Sequence, residues 1–143
     1  MQSQPSERAA VVGKIDPQLV DNATKTTEAV DMAKFGSALF ILLVGATDIT
    51  VDAKLEESNA FDFGSGVSDL SGKAIGQAAA TDDNKVWIIN LKAEECSKRY
   101  VRLKVTTGDG ASGAYQAAVA LGLDPRFGPA SDDDLTAVDE IVT

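Results

Sequence analysis

Apolar and polar residues alternate along much of the chain with the period of two that is typical of β-strands. The clearest case is residues 49–56 (ITVDAKLE), whose alternation predicts a strand with one buried and one solvated face. Residues 101–106 repeat the pattern. Residues 112–121 follow a Gly-rich turn, and their alternation favours a strand paired with residues 100–107 over a helix.

Residues 37–45 (SALFILLVG) are apolar at both sets of alternate positions. Such a run suits a strand that is covered on both sides or a helical segment of equal length, and its shortness and terminal Gly45 favour the strand. The pair Asp16 and Pro17 predicts a turn. Weaker strand signals cover four further segments, which are residues 9–15, 23–30, 70–77 and 85–91.

About seven or eight short strands are therefore expected, with turn signals between them and no long amphipathic helix. This spacing predicts an all-β fold, an antiparallel β-sandwich, rather than βαβ units. We assign residues 16–123 to the sandwich domain and residues 1–15 to an extended N-terminal arm. Residues 124–143 are acidic and interrupted by proline, and they predict a C-terminal arm that is a short helix or an extended, docking segment.

Composition excludes several classes of function. The 143 residues include 22 acidic and 13 basic side chains, for a net charge of -9, one cysteine and no histidine. Histidine-based triads and zinc sites are thereby excluded, and the acidic balance argues against nucleic acid as a partner. Residues 38–44 are the longest strongly apolar run, shorter than the ~20 residues of a membrane span. The N-terminus lacks a secretory signal pattern, so we predict synthesis in the cytoplasm.

Motifs that suggest chemistry have simpler interpretations. The string 108–113 (GDGASG) matches G-x-G-x-x-G, but it lies between predicted strands, so a hairpin loop explains its glycines. The acidic run 132–134 lacks the spacing of a calcium loop. The carboxylate pairs 56–57 and 94–95 are not placed together by any pattern. We predict no catalytic, cofactor-binding or metal-binding residues and no enzymatic activity.

Exposed aromatic and basic residues are better candidates for contacts with other proteins. Phe61 and Phe63 lie in a Gly/Ser-rich loop, where they either form a contact site or pack on the rim of their own domain. Arg99 and Arg102 belong to a basic cluster that either meets an acidic tail of a neighbouring copy or is a solvated strand surface. The C-terminal arm adds four further contact candidates, which are Arg126, Phe127, Leu135 and Ile141.

An ordered set of segments carries a family resemblance across residues 29–142. The segments are 30–35 (VDMAKF) with 39–40 (LF), 52–58 (DAKLEES), 69–75 (DLSGKAI), 81–85 (TDDNK), 97–102 (SKRYVR) and 126–132 (RFGPASD). In these the chain resembles small structural proteins encoded in the head-gene region of tailed bacteriophages, the head decoration or cement proteins.

The resemblance implies a jelly-roll-like β-sandwich that is a homotrimer on the outer surface of the virion. The resemblance also implies that the protein binds the major capsid protein and stabilises the head against internal DNA pressure. It further implies synthesis in the host bacterium and no contact with nucleic acid or membrane. Two alternatives remain open. One is a minor virion protein of the head–tail connector or tail, and the other is a surface-displayed carbohydrate-binding β-sandwich that uses Phe61, Phe63 and Tyr115.

Overall fold

In the fold, taken from a computed structural model that describes residues 2–143, about half of the residues lie in strands. One short helix, α1 (Pro5–Arg8), precedes them, and 3-10 turns occur at Ala93–Glu95 and Ala130–Asp133. The strands are β1 (Ala9–Val20), β2 (Ala23–Thr26), β3 (Val30–Asp31), β4 (Phe35–Thr47), β5 (Val51–Ser58), β6 (Ser68–Ala74), β7 (Lys85–Lys92), β8 (Tyr100–Thr107) and β9 (Ala114–Pro125). None of the helices among these residues is long and apolar enough to cross a membrane.

The strands form two antiparallel sheets that pack face to face. The first sheet has the order β1-β9-β4-β7, and the second has the order β2-β8-β5-β6 with β3 beside β8. This confirms the predicted all-β antiparallel sandwich. When β2 and β3 are counted as one interrupted strand, the order is that of a jelly roll.

The core is formed by the inward-facing side chains of both sheets. On β4 these are Ala38, Phe40, Leu42 and Val44, which are all 2% exposed or less. They meet the inner faces of β5 and β8, where Leu55, Val101, Leu103 and Val105 are equally buried. Burial of this kind is the main force that holds the two sheets together.

Strand β9 pairs differently from the prediction. Residues 112–121 do belong to a strand, but it pairs with β1 and β4 of the first sheet, not with residues 100–107. The Gly-rich loop 108–113 therefore crosses between the sheets instead of closing a hairpin. A hairpin loop and a loop that crosses between sheets both use glycine, so the sequence pattern does not distinguish the two kinds of connection. The predicted turn at Asp16 and Pro17 is instead an irregularity inside β1, between Ile15 and Gln18.

The predicted arms are largely packed on the sandwich. Residues 9–15 form the first half of β1, because β9 supplies backbone partners for them, so the boundary at residue 15 falls within a strand. The C-terminal segment begins inside β9, and Ala130 is fully buried in the core. Beyond it, the Val11 N–H donates to Asp134 Oδ1 (2.7 Å) and the Leu135 N–H donates to the Val11 carbonyl (2.8 Å). The segment is a 3-10 turn followed by irregular chain, not an α-helix.

Substitution of Gly122 tests the packing between β9 and β4. A Cβ at this position would lie 2.7 Å from the Phe35 ring, and Phe35 is fully buried. We expect Gly122→Ala to lower the free energy of unfolding by about 1–3 kcal/mol, because overpacking displaces a core side chain. Urea unfolding followed by tryptophan fluorescence measures the change.

The control is Gly76→Ala, since a Cβ at Gly76 has no neighbour within 4 Å. Its free energy of unfolding should remain within about 0.5 kcal/mol of the wild-type value. Equal effects of the two substitutions would contradict the packing argument.

Candidate functional site

Four chain segments that are distant in sequence meet at one end of the sandwich. They are the turn 31–34, the loop 59–67, residues 98–100 and the turn 126–129. Hydrogen bonds join them, since the Met32 N–H donates to the Arg99 carbonyl and the Arg126 N–H donates to the Lys34 carbonyl, both at 2.9 Å, and the Arg99 N–H donates to Asn59 Oδ1 at 3.1 Å. We call the surface formed by these four segments the end surface.

An aromatic–arginine cluster lies at the centre of the end surface. The Phe61 ring meets the Tyr100 ring edge to face, with 5.5 Å between centroids, and Phe61 remains 67% exposed. The Arg99 guanidinium lies 5.1 Å from the Tyr100 centroid. Arg99 Nε and Nη2 donate to the two carboxylate oxygens of Asp31 at 2.9 and 2.8 Å. Phe61 thus packs on the rim of its own domain and still presents most of its ring to solvent.

The hydrogen-bonded pair of Arg99 and Asp31 changes the titration of both groups. Hydrogen bonding from Arg99 holds the pKa of Asp31 below its usual value, against the opposing effect of burial. The same bond raises the pKa of Arg99. The cluster therefore keeps its charges at neutral pH and holds the arginine in place beside the aromatic rings.

Phe63 and Arg102 form a separate pair on the side of the second sheet that points away from the core. Phe63, which the sequence places among the exposed contact candidates, is only 8% exposed. It adopts a left-handed backbone conformation (φ 54°), and its ring lies beneath the Arg102 guanidinium at 4.2 Å. Arg102 is in turn 2.6 Å from the buried carboxylate of Glu56. These contacts give both residues a structural role inside the domain.

The remaining candidates are spread around the same end. Phe127 lies in the turn after β9 and is 83% exposed, with Arg126 exposed beside it. Leu135 is half-buried in a groove that Phe61 and Arg99 also line. Ile141 is outside this groove, in a shallow depression formed by the C-terminal segment itself.

A second surface, on the first sheet, was not among the predicted contacts. The side chains of this sheet that point away from the core form five rows across its four strands. We call this surface the outer face. Its members are Ala9, Val11, Lys14, Leu19, Ser37, Leu39, Ile41, Leu43, Gly45, Val86, Ile88, Asn90, Lys92, Tyr115, Ala117, Val119, Leu121 and Leu123.

The outer face is apolar over most of its extent. Leu43, on the interior strand β4, is 45% exposed, and Val86 and Ile88, on the edge strand β7, are 55% and 58% exposed. Its charged members are Lys14 and Lys92, and two carboxylates reach its margins, where Asp16 pairs with Lys14 and Asp124 accepts a hydrogen bond from the Ser37 hydroxyl at 2.7 Å. The two-sided apolar pattern of residues 37–45 was the sequence signal for this surface, because it predicted cover on both sides of the strand.

The Gly-rich loop binds the chain's own carboxylates. The Gly110 N–H donates to Asp21 Oδ1 (2.8 Å), and the Ser112 and Gly113 N–H groups donate to the carboxylate of Asp48 (2.7 and 2.9 Å). These amides point to internal acceptors, so the geometry does not resemble a phosphate-binding loop.

The other reactive groups show no arrangement typical of catalysis. Burial, with the nearby carboxylates of Glu57 and Glu95, raises the pKa of the Cys96 thiol to about 11, so the thiol is protonated at neutral pH. Across residues 2–143, histidine, cysteine and carboxylate side chains do not form a group of three that could hold a metal ion.

Comparison with known proteins gives little guidance to function. No protein-family model matches the chain, and no curated protein matches its sequence. Among solved structures, one chain in the structure of infectious bursal disease virus, Gx strain, aligns with 87% of this chain at 8% identity and a TM-score of 0.44. The alignment covers 34% of that chain, so the present chain spans about a third of its length. A likeness this distant does not identify a function.

The Asp31–Arg99 pair predicts a pH-dependent contribution to stability. Because the pKa of Asp31 is lowered in the folded state, its contribution is present above the unfolded carboxyl pKa and is lost as the pH falls through the folded value. We expect Asp31→Asn to lower the melting temperature at pH 7, and we expect the difference from wild type to disappear under acidic conditions.

Thermal unfolding between neutral and acidic pH measures this difference. Asp69→Asn is the control, because the Asp69–Lys54 pair is solvent-exposed and such pairs contribute little. A difference for Asp31→Asn that persists unchanged at acidic pH would show that the charge of Asp31 is not responsible.

Proposed function

We propose that this chain is a structural protein of a bacteriophage virion and that it decorates the outside of the head. In this role it binds the major capsid protein and stabilises the shell against the pressure of the packaged DNA. The observation that carries the proposal is the end surface, where exposed aromatic and arginine side chains from distant segments meet on a rigid sandwich. The family resemblance across residues 29–142 supports it independently.

The composition of the end surface suits binding to another protein. Aromatic and arginine side chains are enriched where protein interfaces are most completely buried. Phe61 and Phe127 are 67% and 83% exposed, and both follow backbone that hydrogen bonds hold in place. Because these turns are already ordered, little conformational entropy is lost when they are buried.

A decoration protein works through many weak contacts. A shell expands by separating its subunits, and a protein that bridges several subunits loses buried area when they separate. Many copies acting together convert modest affinity per site into a large resistance to expansion. A small, rigid β-sandwich with an adhesive end meets this requirement without any catalytic chemistry, so the proposal includes no enzymatic activity. As in the family that the chain resembles, we expect the decorating unit to be a homotrimer.

The stoichiometry of the protein in purified phage particles tests the proposal. We expect about one copy per major capsid subunit, because decoration requires a site at most shell positions. Quantitative mass spectrometry of particles provides the ratio. A ratio of a few per cent would contradict decoration and indicate the head–tail connector or tail, and absence from the particles would contradict a virion role altogether.

Substitution of Phe127 tests the end surface as the capsid-binding site. We expect Phe127→Ser to weaken binding to undecorated heads by about tenfold or more, because the substitution removes a largely exposed aromatic ring from the contact. Co-sedimentation of the purified chain with such heads measures the affinity.

The control for this measurement is Val142→Ser, since Val142 is 85% exposed and lies outside the end surface. It should bind as the wild type does. Equal affinity of all three proteins would show that Phe127 does not contact the capsid.

A further inference from the structure

We propose that the outer face packs against a second copy of this chain. The proposal goes beyond binding to the capsid, which we assign to the end surface. It concerns a different part of the molecule, and most of its support is independent of the virion role.

The chain itself leaves the outer face uncovered. On β4 the inward-facing Phe40 and Leu42 are 1% and 2% exposed, whereas the outward-facing Leu43 on the same strand is 45% exposed. Its cross-strand neighbour Val86, paired with it in register, is 55% exposed. The outward side chains Leu39, Ile41 and Leu43 of this strand are as apolar as those of the core. The second sheet lies on the opposite side of β4 and does not cover them.

The size of the outer face suits a specific interface. With strands about 4.8 Å apart and alternate residues about 6.8 Å apart, four strands and five rows give a footprint of about 600 Å². The apolar part of this footprint is smaller, because Lys14, Ser37, Asn90 and Lys92 belong to the face, and it falls within the range of apolar patches on monomeric proteins, about 300–600 Å². Two copies in contact would bury about 1,200 Å² in total, which is within the range of specific protein interfaces.

The charge of the chain favours association at this face. With a net charge of -9, two copies repel each other over most of their surfaces. Asp16 and Asp124 reach the margins of the outer face, where they are bonded to Lys14 and Ser37, and its two lysines, Lys14 and Lys92, lie on the edge strands β1 and β7. Contact through the centre of this face therefore buries apolar side chains and leaves these two carboxylates at the margins, where Lys14 and Ser37 already bind them.

The edges of the first sheet are partly blocked, which directs association to its face. Along β1, backbone groups of Val11 are already bonded to Asp134 and Leu135. Along β7, Lys73 Nζ donates to the Asn90 carbonyl at 2.8 Å. A second copy that adds as a further strand would have to displace these groups, whereas packing on the face displaces none.

The orientation of the two surfaces also favours a second copy over the capsid as the occupant. The end surface lies at the ends of the strands, and the outer face lies along their sides. A molecule that stands on its end surface therefore presents the outer face sideways, towards neighbouring copies. This step rests on the proposed function, whereas the arguments from area and charge do not.

Self-association of the purified full-length chain tests the proposal. We expect an oligomer whose dissociation is measurable between about 1 and 100 µM by sedimentation velocity and light scattering. Ile88→Lys should weaken association by about tenfold or more, because it places an unpaired charge within the apolar contact. Val86→Lys is a second variant on the same strand and should have the same effect. Both positions are more than half exposed in the single chain, so circular dichroism should show unchanged folding.

The matched control is Val142→Lys, which adds the same charge at an exposed position outside the outer face. It should associate as the wild type does. A wild-type chain that is monomeric at 100 µM, or variants that all associate equally, would overturn the proposal. Neither result would alter the particle stoichiometry, so failure of this proposal is distinguishable from failure of the virion role.

Discussion

The packing of β4 is the constraint on which the rest of the structure depends. This strand lies inside the first sheet, between β9 and β7, and its alternate side chains are apolar on both sides. The inward-facing set of side chains packs against the second sheet, and two of its members, Phe40 and Leu42, are almost completely buried. A two-layer sandwich has no third layer for the other set. The same sequence that makes the core stable therefore also produces an exposed apolar surface.

The acidic character of the chain is used largely to hold its own backbone. Asp48 accepts bonds from two amides of the Gly-rich loop, and Glu57 accepts bonds from the amides of Ser97 and Lys98. Asp134 does the same for Val11 at the edge of β1. Charge-assisted bonds of this kind are stronger than neutral ones. They fix the loops and the C-terminal segment.

Much of the fold follows from local pattern, but the pairing of strands does not. The alternation in residues 49–56 and 101–106 correctly predicted β5 and β8, because each buries one face. The partner of β9 was not predictable, since a Gly-rich loop serves a hairpin and a crossing connection equally well. A strand was predicted at residues 9–15, but its place in the sandwich and its continuation to Val20 were missed, because both depend on pairing with β9, which is distant in sequence. For the candidate site, the sequence identified Phe61, Arg99 and Phe127. It did not indicate that Phe63 is buried against Arg102, because that contact depends on the left-handed conformation of Phe63 and on a residue distant in sequence.

The two surfaces of the molecule differ in the physical basis of their adhesion. The end surface combines rings and guanidinium groups held by directed hydrogen bonds, so it is suited to recognise a partner of defined shape and charge. The outer face has almost no directional groups, so it is suited to burial against another apolar sheet. The same strands carry the end surface at their ends and the outer face along their sides, so the two surfaces have a fixed relative orientation. A contact at one surface therefore fixes the direction in which the other points, and this coupling of orientation is what a building block of a regular assembly requires.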